Sequence, residues 1–218
     1  EEVSRGLGDV YKRQDISGSN FFGSNSAFKN EYVTELAATL AFSATKNNDK
    51  VGLILFSDNV ELYIPPKKGK SHVLRIIREL LEFKSKSKKT DINVPLKFVS
   101  NILKNRSIAF IISDFISQDY SNSLKIFSSR HDVTGIRIYD KTEEIIPNLG
   151  VIDINDNETG KRTTVNTSSK KIRRKYNEYY NSKRREFVDY FKRSGSGIIE
   201  CNTNDDYQKK LLKYFKSR

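Results

Sequence analysis

Two apolar runs without a polar break, Val51-Gly-Leu-Ile-Leu-Phe56 and Ile108-Ala-Phe-Ile-Ile112, do most to limit what this chain can become. A strand with one wet face alternates polar and apolar side chains. A run apolar at every position therefore has both faces covered, as in the middle of a parallel sheet. Around these runs the period changes. Phe28, Tyr32, Val33, Leu36, Ala37, Leu40 and Ala41 recur at helical spacing behind Ser26 as a cap, and so do Val73, Leu74, Ile76, Ile77, Leu80 and Leu81. Leu96, Val99, Ile102 and Leu103 predict a third helix, with Pro95 tolerable only in its first turn, and residues 124–127 lie in a fourth. Val60 to Ile64, closed by Pro65-Pro66, predicts a short hairpin or edge strand, because consecutive prolines cannot donate to a central ladder. Val133 to Tyr139 predicts the next strand. This alternation predicts an α/β fold, a doubly wound, mostly parallel sheet flanked by helices, whose ligands gather at the carboxyl ends of the strands.

Asp15, Asp114 and Asp140 all fall at such ends. Asp15 opens the pentapeptide Asp15-Ile-Ser17-Gly-Ser19, which sets one carboxylate and two hydroxyls at alternate positions. Alternate residues of an extended chain point the same way, so these oxygens can converge on one small cation. Thr90-Asp91, ahead of an amphipathic run, and Asp114, closing the best strand, offer more hard oxygens from two other loops. The spacing suggests a cation site assembled from three loops, suited to gripping a partner rather than breaking bonds. The plain alternative is a polar turn in which Ser17 and Ser19 cap backbone groups, and the pentapeptide alone does not separate the two.

Beyond Tyr139 the pattern changes. Residues 149–154 and 161–165 predict a hairpin around Asn157-Glu-Thr-Gly160, followed by a long helix over 170–193, a strand at Gly197–Cys201 and a terminal helix from about Asp205. The organisation expected is a core over residues 15–140 and a C-terminal extension over 141–218, packed on the same domain. The net charge of +12 invites a nucleic-acid reading. Much of the excess, however, lies in the loop from Lys84 to Lys89 and in the helix from Lys170 to Arg193. In that helix Ile172, Tyr176, Tyr180, Phe187 and Phe191 keep helical spacing, which leaves the basic residues a solvated outer face. The single cysteine, Cys201, excludes an internal disulfide framework and any multi-cysteine zinc site. No apolar run approaches the roughly 18–20 residues of a bilayer span, and the first residues lack a secretory pattern, so a cytoplasmic location is expected. His72 and His131 adjoin no serine or cysteine motif that would make either a general base, and structural roles are expected for both.

An ordered set of segments adds a resemblance: Asp15-Ile-Ser-Gly-Ser-Asn20, Asn48-Asp-Lys-Val-Gly-Leu-Ile-Leu-Phe-Ser-Asp58, Ile64-Pro-Pro-Lys-Lys-Gly69, Lys89-Thr-Asp-Ile92, Ile112-Ser-Asp-Phe115, Arg130-His-Asp-Val133, Pro147-Asn-Leu-Gly150 and Asp156-Asn-Glu-Thr-Gly160. Together, over residues 15–218, they resemble the von Willebrand factor A-like bacterial proteins grouped as domain of unknown function fifty-eight. The resemblance implies a von Willebrand factor A (Rossmann-like) fold and a metal-ion-dependent adhesion site, with Asp15, Ser17, Ser19, Thr90 and Asp114 in the ligand positions. It implies Mg2+ or Mn2+ there, completed by an acidic residue of a protein partner, and work beside a MoxR-type AAA+ ATPase in complex assembly or chaperoning. No catalysis is expected.

Two departures from the family stand out. Lys89 occupies a place where a small residue usually precedes the threonine. The family also leads into Asp15 with an apolar strand, whereas this chain reads Gly8-Asp-Val-Tyr-Lys-Arg-Gln14. The stretch Ser4–Gln14 resembles translated sequencing-adapter read-through, so residues 1–14 are expected to be foreign, with a genuine upstream region missing. Exchanging three or four buried aliphatics for such residues forfeits about 1.5–3 kcal/mol per side chain. The sum rivals the roughly 5–15 kcal/mol stability of a whole domain. Restoring an apolar strand before Asp15 is expected to raise the melting temperature, and equal melting of the two chains would remove the idea.

Two other function classes stay open. A nucleic-acid-binding protein would use the basic helix over 170–193 and weaken steeply with salt. A metal-dependent phosphoesterase would need more carboxylates around the ion, for which Asp91 and Asp140 are the extra candidates.

Overall fold

The computed structural model describes residues 10–15, 26–83, 87, 89–155 and 162–218. Six strands form the main sheet: β1 (Val10–Asp15), β2 (Val51–Phe56), β3 (Val60–Lys67), β4 (Ile108–Ser113), β5 (Asp132–Tyr139) and β8 (Gly197–Asn202), in the spatial order β3-β2-β1-β4-β5-β8. Neighbours are parallel except for β3, which runs antiparallel to β2. The helices are α1 (Ser26–Lys46), α2 (Lys70–Glu82), α3 (Asn93–Ile102), α4 (Ser121–Ser128), α5 (Lys141–Glu144), α6 (Lys170–Arg193) and α7 (Tyr207–Lys216). A separate antiparallel hairpin pairs β6 (Val151–Asn155) with β7 (Arg162–Asn166).

The period of two sorts the apolar runs between two cores. Leu53, Leu55, Phe110 and Ile112 pack with Leu36, Ile76 and Leu211, from α1, α2 and α7. Ile54, Phe56, Ala109 and Ile111 pack on the other side with Leu96, Leu124, Phe187 and Phe191, from α3, α4 and α6. Helices thus cover both faces of a mostly parallel sheet, and the uninterrupted apolar runs are the buried strands β2 and β4.

Three features go beyond the sequence expectation. The edge strand β3 continues through Pro65 and Pro66 to Lys67, which an outermost strand tolerates because its outer side needs no donors. A short helix, α5, follows β5 directly. The strand of the C-terminal region does more than pack on the domain: β8 joins the main sheet beside β5, with Arg137 opposite Glu200. Val10–Asp15 forms the strand between β2 and β4, although its sequence Val-Tyr-Lys-Arg-Gln-Asp lacks their apolar run. His72 Nε2 donates to Val51 O, 2.8 Å away, tying α2 to the start of β2, while His131 stacks on Phe127. Cys201 is buried in the core. Among the described residues, no helix is long and apolar enough to cross a membrane.

Strand order fixes the switch point. From β1 the chain moves outward through β2 to β3, then returns to place β4 on the other side of β1. The helix after β1 packs on one face and the helix after β4 on the opposite face. The strand order therefore switches direction between β1 and β4, and in such sheets ligands usually gather at the carboxyl ends beside this switch point.

Candidate metal centre

Asp15 is the last residue of β1, and Asp114 directly follows β4, so both stand at the carboxyl ends of the two strands that flank this switch point. Ser17 and Ser19 lie outside the described residues. Thr90 is buried in the loop before α3, and hydrogen bonds join that loop to its neighbours. Asp91 N donates to Ser57 O just beyond β2 at 3.1 Å. Ser117 Oγ donates to Thr90 O at 3.4 Å and accepts from Ile92 N at 3.3 Å. One hydroxyl thereby stitches the Thr90 loop to the segment that carries Asp114.

Asp114 is held firmly. Its Oδ1 accepts from Ile116 N at 3.0 Å, and Ser113 Oγ accepts from Phe115 N at 3.0 Å. Between these bonds Phe115 adopts a φ of 59°, a left-handed conformation uncommon for a bulky side chain. The strain persists because the ring is locked by packing, with Phe187 and Phe191 centroids at 4.3 and 5.3 Å. Helix α6 thus contributes to the site by fixing the turn behind Asp114.

The other oxygen of Asp114 faces an unexpected neighbour. Lys29 of α1, only 2% exposed, brings Nζ to 3.9 Å from Asp114 Oδ2 and to 3.2 Å from both carboxylate oxygens of Glu143 in α5. Glu143 Oε2 also accepts from Asp140 N at 3.4 Å. Burial raises the Glu143 carboxyl above its ordinary range; Lys29 pulls it down and the Asp114 charge pushes it further up. Neither Lys29 nor Glu143 was singled out by motif reading. The signal for Lys29 was present, because it lies three, four and seven residues before Tyr32, Val33 and Leu36, on the apolar stripe of α1. A lysine there is buried only when paired.

Among the described residues, two carboxylates share the one Lys29 ammonium here, a ratio that a further cation would balance. Among the described residues, no three His, Cys, Asp or Glu side chains gather as a metal-binding group. A cation here would depend on hydroxyl oxygens and water beside its carboxylates, which suits a hard octahedral ion. Thr90, a hydroxyl, and Asp114, a carboxylate, are donors of that kind on two loops joined through Ser117. The extra phosphoesterase candidates are engaged otherwise: Asp91 Oδ1 accepts from Asn93 N and Nδ2 at 2.9 Å, and Asp140 Oδ2 accepts from Thr203 Oγ1 at 3.1 Å.

The sequence profile of a family described as protein of unknown function DUF58 matches residues 9–186. An uncharacterised protein of Mycobacterium bovis is 23% identical over 149 residues, 67% of this chain and 47% of its own length. The chain thus spans about half the length of the curated relatives it matches. Among solved structures, the conserved hypothetical protein BatB from Bacteroides thetaiotaomicron superposes with a TM-score of 0.61 at 15% identity, over 97% of this chain and 98% of its own. An aerotolerance-related membrane protein from Bacteroides fragilis gives 0.59 at 16% identity, over 98% of this chain and all of its own. At these identities the likeness is one of fold. With the profile match running from residue 9 to residue 186, the chain belongs to the DUF58 family.

Proposed function

We propose that this chain is a non-catalytic, metal-ion-dependent protein-interaction module. The observation that carries the reading is the switch point in the strand order, where Asp15 and Asp114 stand at the ends of adjacent parallel strands and Ser117 ties the Thr90 loop to the segment after Asp114. Asp15, Ser17, Ser19, Thr90 and Asp114 are the residues that would hold Mg2+ or Mn2+, directly or through water. Such an ion, when bound, supplies an open coordination position for an acidic group of another molecule. The chain's own part is to fix Asp114 through the Phe115 turn and to keep the number of carboxylates low. Few anionic ligands leave a bound ion attractive to an Asp or Glu of the partner.

The partner proposed is the MoxR-type AAA+ ATPase that the family resemblance implies, met in the cytoplasm. The outer face of α6 gives the nucleic-acid alternative less support than its charge suggests. Arg174, Lys183 and Arg184 are already paired with Glu178, Glu186 and Glu200. Calorimetric titration with Mg2+ or Mn2+ and capture of such an ATPase on immobilised chain test the reading. Both signals are expected to disappear with Asp114→Ala, and capture to disappear with chelator. Capture that survives chelator and substitution alike overturns it.

A further inference from the structure

We infer that Glu143 is a positioning residue that holds Lys29 away from Asp114, so that Lys29 is a built-in competitor for the cation at this edge. The inference rests on the metal-site reading above and adds a control element to it. Lys29 Nζ sits 3.2 Å from both Glu143 oxygens but 3.9 Å from Asp114 Oδ2. A charge-assisted N–H···O bond is about 2.7–2.9 Å long, so the ammonium stands about 1 Å short of bonding to Asp114. Lysine is a flexible stem with a point charge, able to cover that gap by small torsional changes. What keeps it back is a carboxylate in a fixed place. The backbone of α5 is anchored from α6, where Tyr176 OH donates to Glu143 O at 2.8 Å and Asn177 Nδ2 donates to Glu144 O at 3.0 Å. The Glu143 side chain is further steadied by Asp140 N.

This arrangement explains why one lysine meets two acids. Paired more closely with Glu143, Lys29 stays beyond hydrogen-bond distance of Asp114 Oδ2, yet its charge lies near enough to weaken binding of a second cation. Without the Glu143 charge, Asp114 becomes the remaining anionic partner, and the ammonium moves onto the oxygen that the ion would use. Removal of Lys29 and removal of the Glu143 charge therefore act in opposite directions on metal affinity.

A double-mutant cycle read by calorimetric titration of Mn2+ or Mg2+ into the full chain tests this. Lys29→Met is expected to tighten binding by about tenfold or more, the scale of one unit charge a few ångströms away in a partly buried site. Glu143→Gln is expected to weaken it by about tenfold for the same reason. In the Lys29→Met background, Glu143→Gln should change affinity less than about twofold, because its effect runs through Lys29. Lys29→Gln serves in place of Lys29→Met should the latter not fold. Equal weakening by Glu143→Gln in both backgrounds would mean that its charge acts directly and would overturn the inference. So would unchanged or weaker binding after loss of Lys29. In either case the metal-site reading survives, provided that the parent chain binds the ion and Asp114→Ala does not. No binding by the parent chain removes both.

Discussion

Two buried cations, Lys29 and Arg137, are each only 2% exposed, and their surroundings differ in a telling way. Arg137 of β5 lies between aromatic faces, 4.7 Å from the Tyr139 ring centroid and 5.2 Å from that of Tyr180. Its Nη1 is 3.4 Å from Glu200 on the neighbouring strand. Glu200 is also gripped by Arg184 through two bonds of 2.8 and 3.0 Å. Cations outnumber the carboxylate and stacking rings complete the shell, so this cluster is closed. Around Lys29 the ratio is reversed, with Asp114 and Glu143 sharing one ammonium. A closed cluster contributes to the fold; an open one at the carboxyl ends of the strands is equipped to take a ligand.

The sharpest break in this comparison comes from stability with and without divalent ion. Removing one member of a buried ion pair costs about 3–5 kcal/mol, so Arg137→Leu and Lys29→Met should each lose that much in urea unfolding with chelator present. Added ion should then separate them. If Lys29→Met binds tenfold more tightly, a saturating ion narrows its deficit from the parent chain by about 1.4 kcal/mol, whereas the Arg137→Leu deficit stays the same. Equal responses in the two variants would mean that the clusters do not differ in kind.

A smaller effect, of opposite sign in the two clusters, should appear in pH dependence. Burial would raise the Glu200 carboxyl, but hydrogen bonds from Arg184 and the charges of Arg184, Arg137 and Lys210 outweigh it and hold it below the ordinary range. Its contribution is present above the unfolded-state value and is lost as pH falls through the lowered folded value. The Glu143 carboxyl is raised, chiefly by burial, so its contribution is present below the unfolded-state value and is lost as pH rises through the raised one. Measured in chelator, Glu200→Gln should be most damaging at neutral pH and nearly silent in acid. Glu143→Gln should grow more favourable relative to the parent as pH rises from acid to neutral. Parallel pH curves for both variants would erase the distinction.

Periodicity carried most of the fold. The runs at 51–56 and 108–112 were legible as central strands because burial on both faces leaves no polar position to hide. The helix over 170–193 was legible because its aromatics recur on one stripe. The short helix α5 was not, since four residues are too few to show a period. Pairing of β8 with β5 was not either, because register depends on contacts between residues about 60 positions apart. At the candidate site, alternation placed Asp15, Asp114 and Asp140 at strand ends, a position that follows from local pattern. Lys29 and Glu143 escaped because their role comes from charges brought together across 114 positions of sequence, and neither belongs to a motif.

The smallest expected effect marks the outer limit of the comparison. Arg174 and Glu178 form a 2.7 Å ion pair one turn apart on α6, shorter than either contact of Arg137 or Lys29 described above. Were distance the measure, Arg174→Ala would be the most costly change. Both side chains are largely exposed, however, at 82% and 57%. Water screens the attraction, and holding two long side chains together costs entropy, so such pairs contribute about 0.3–0.5 kcal/mol. Arg174→Ala should shift the urea midpoint barely at all and leave metal affinity unchanged. A loss above about 1 kcal/mol would mean that the α6 surface is structurally committed, and the contrast between closed and open clusters would need to include it.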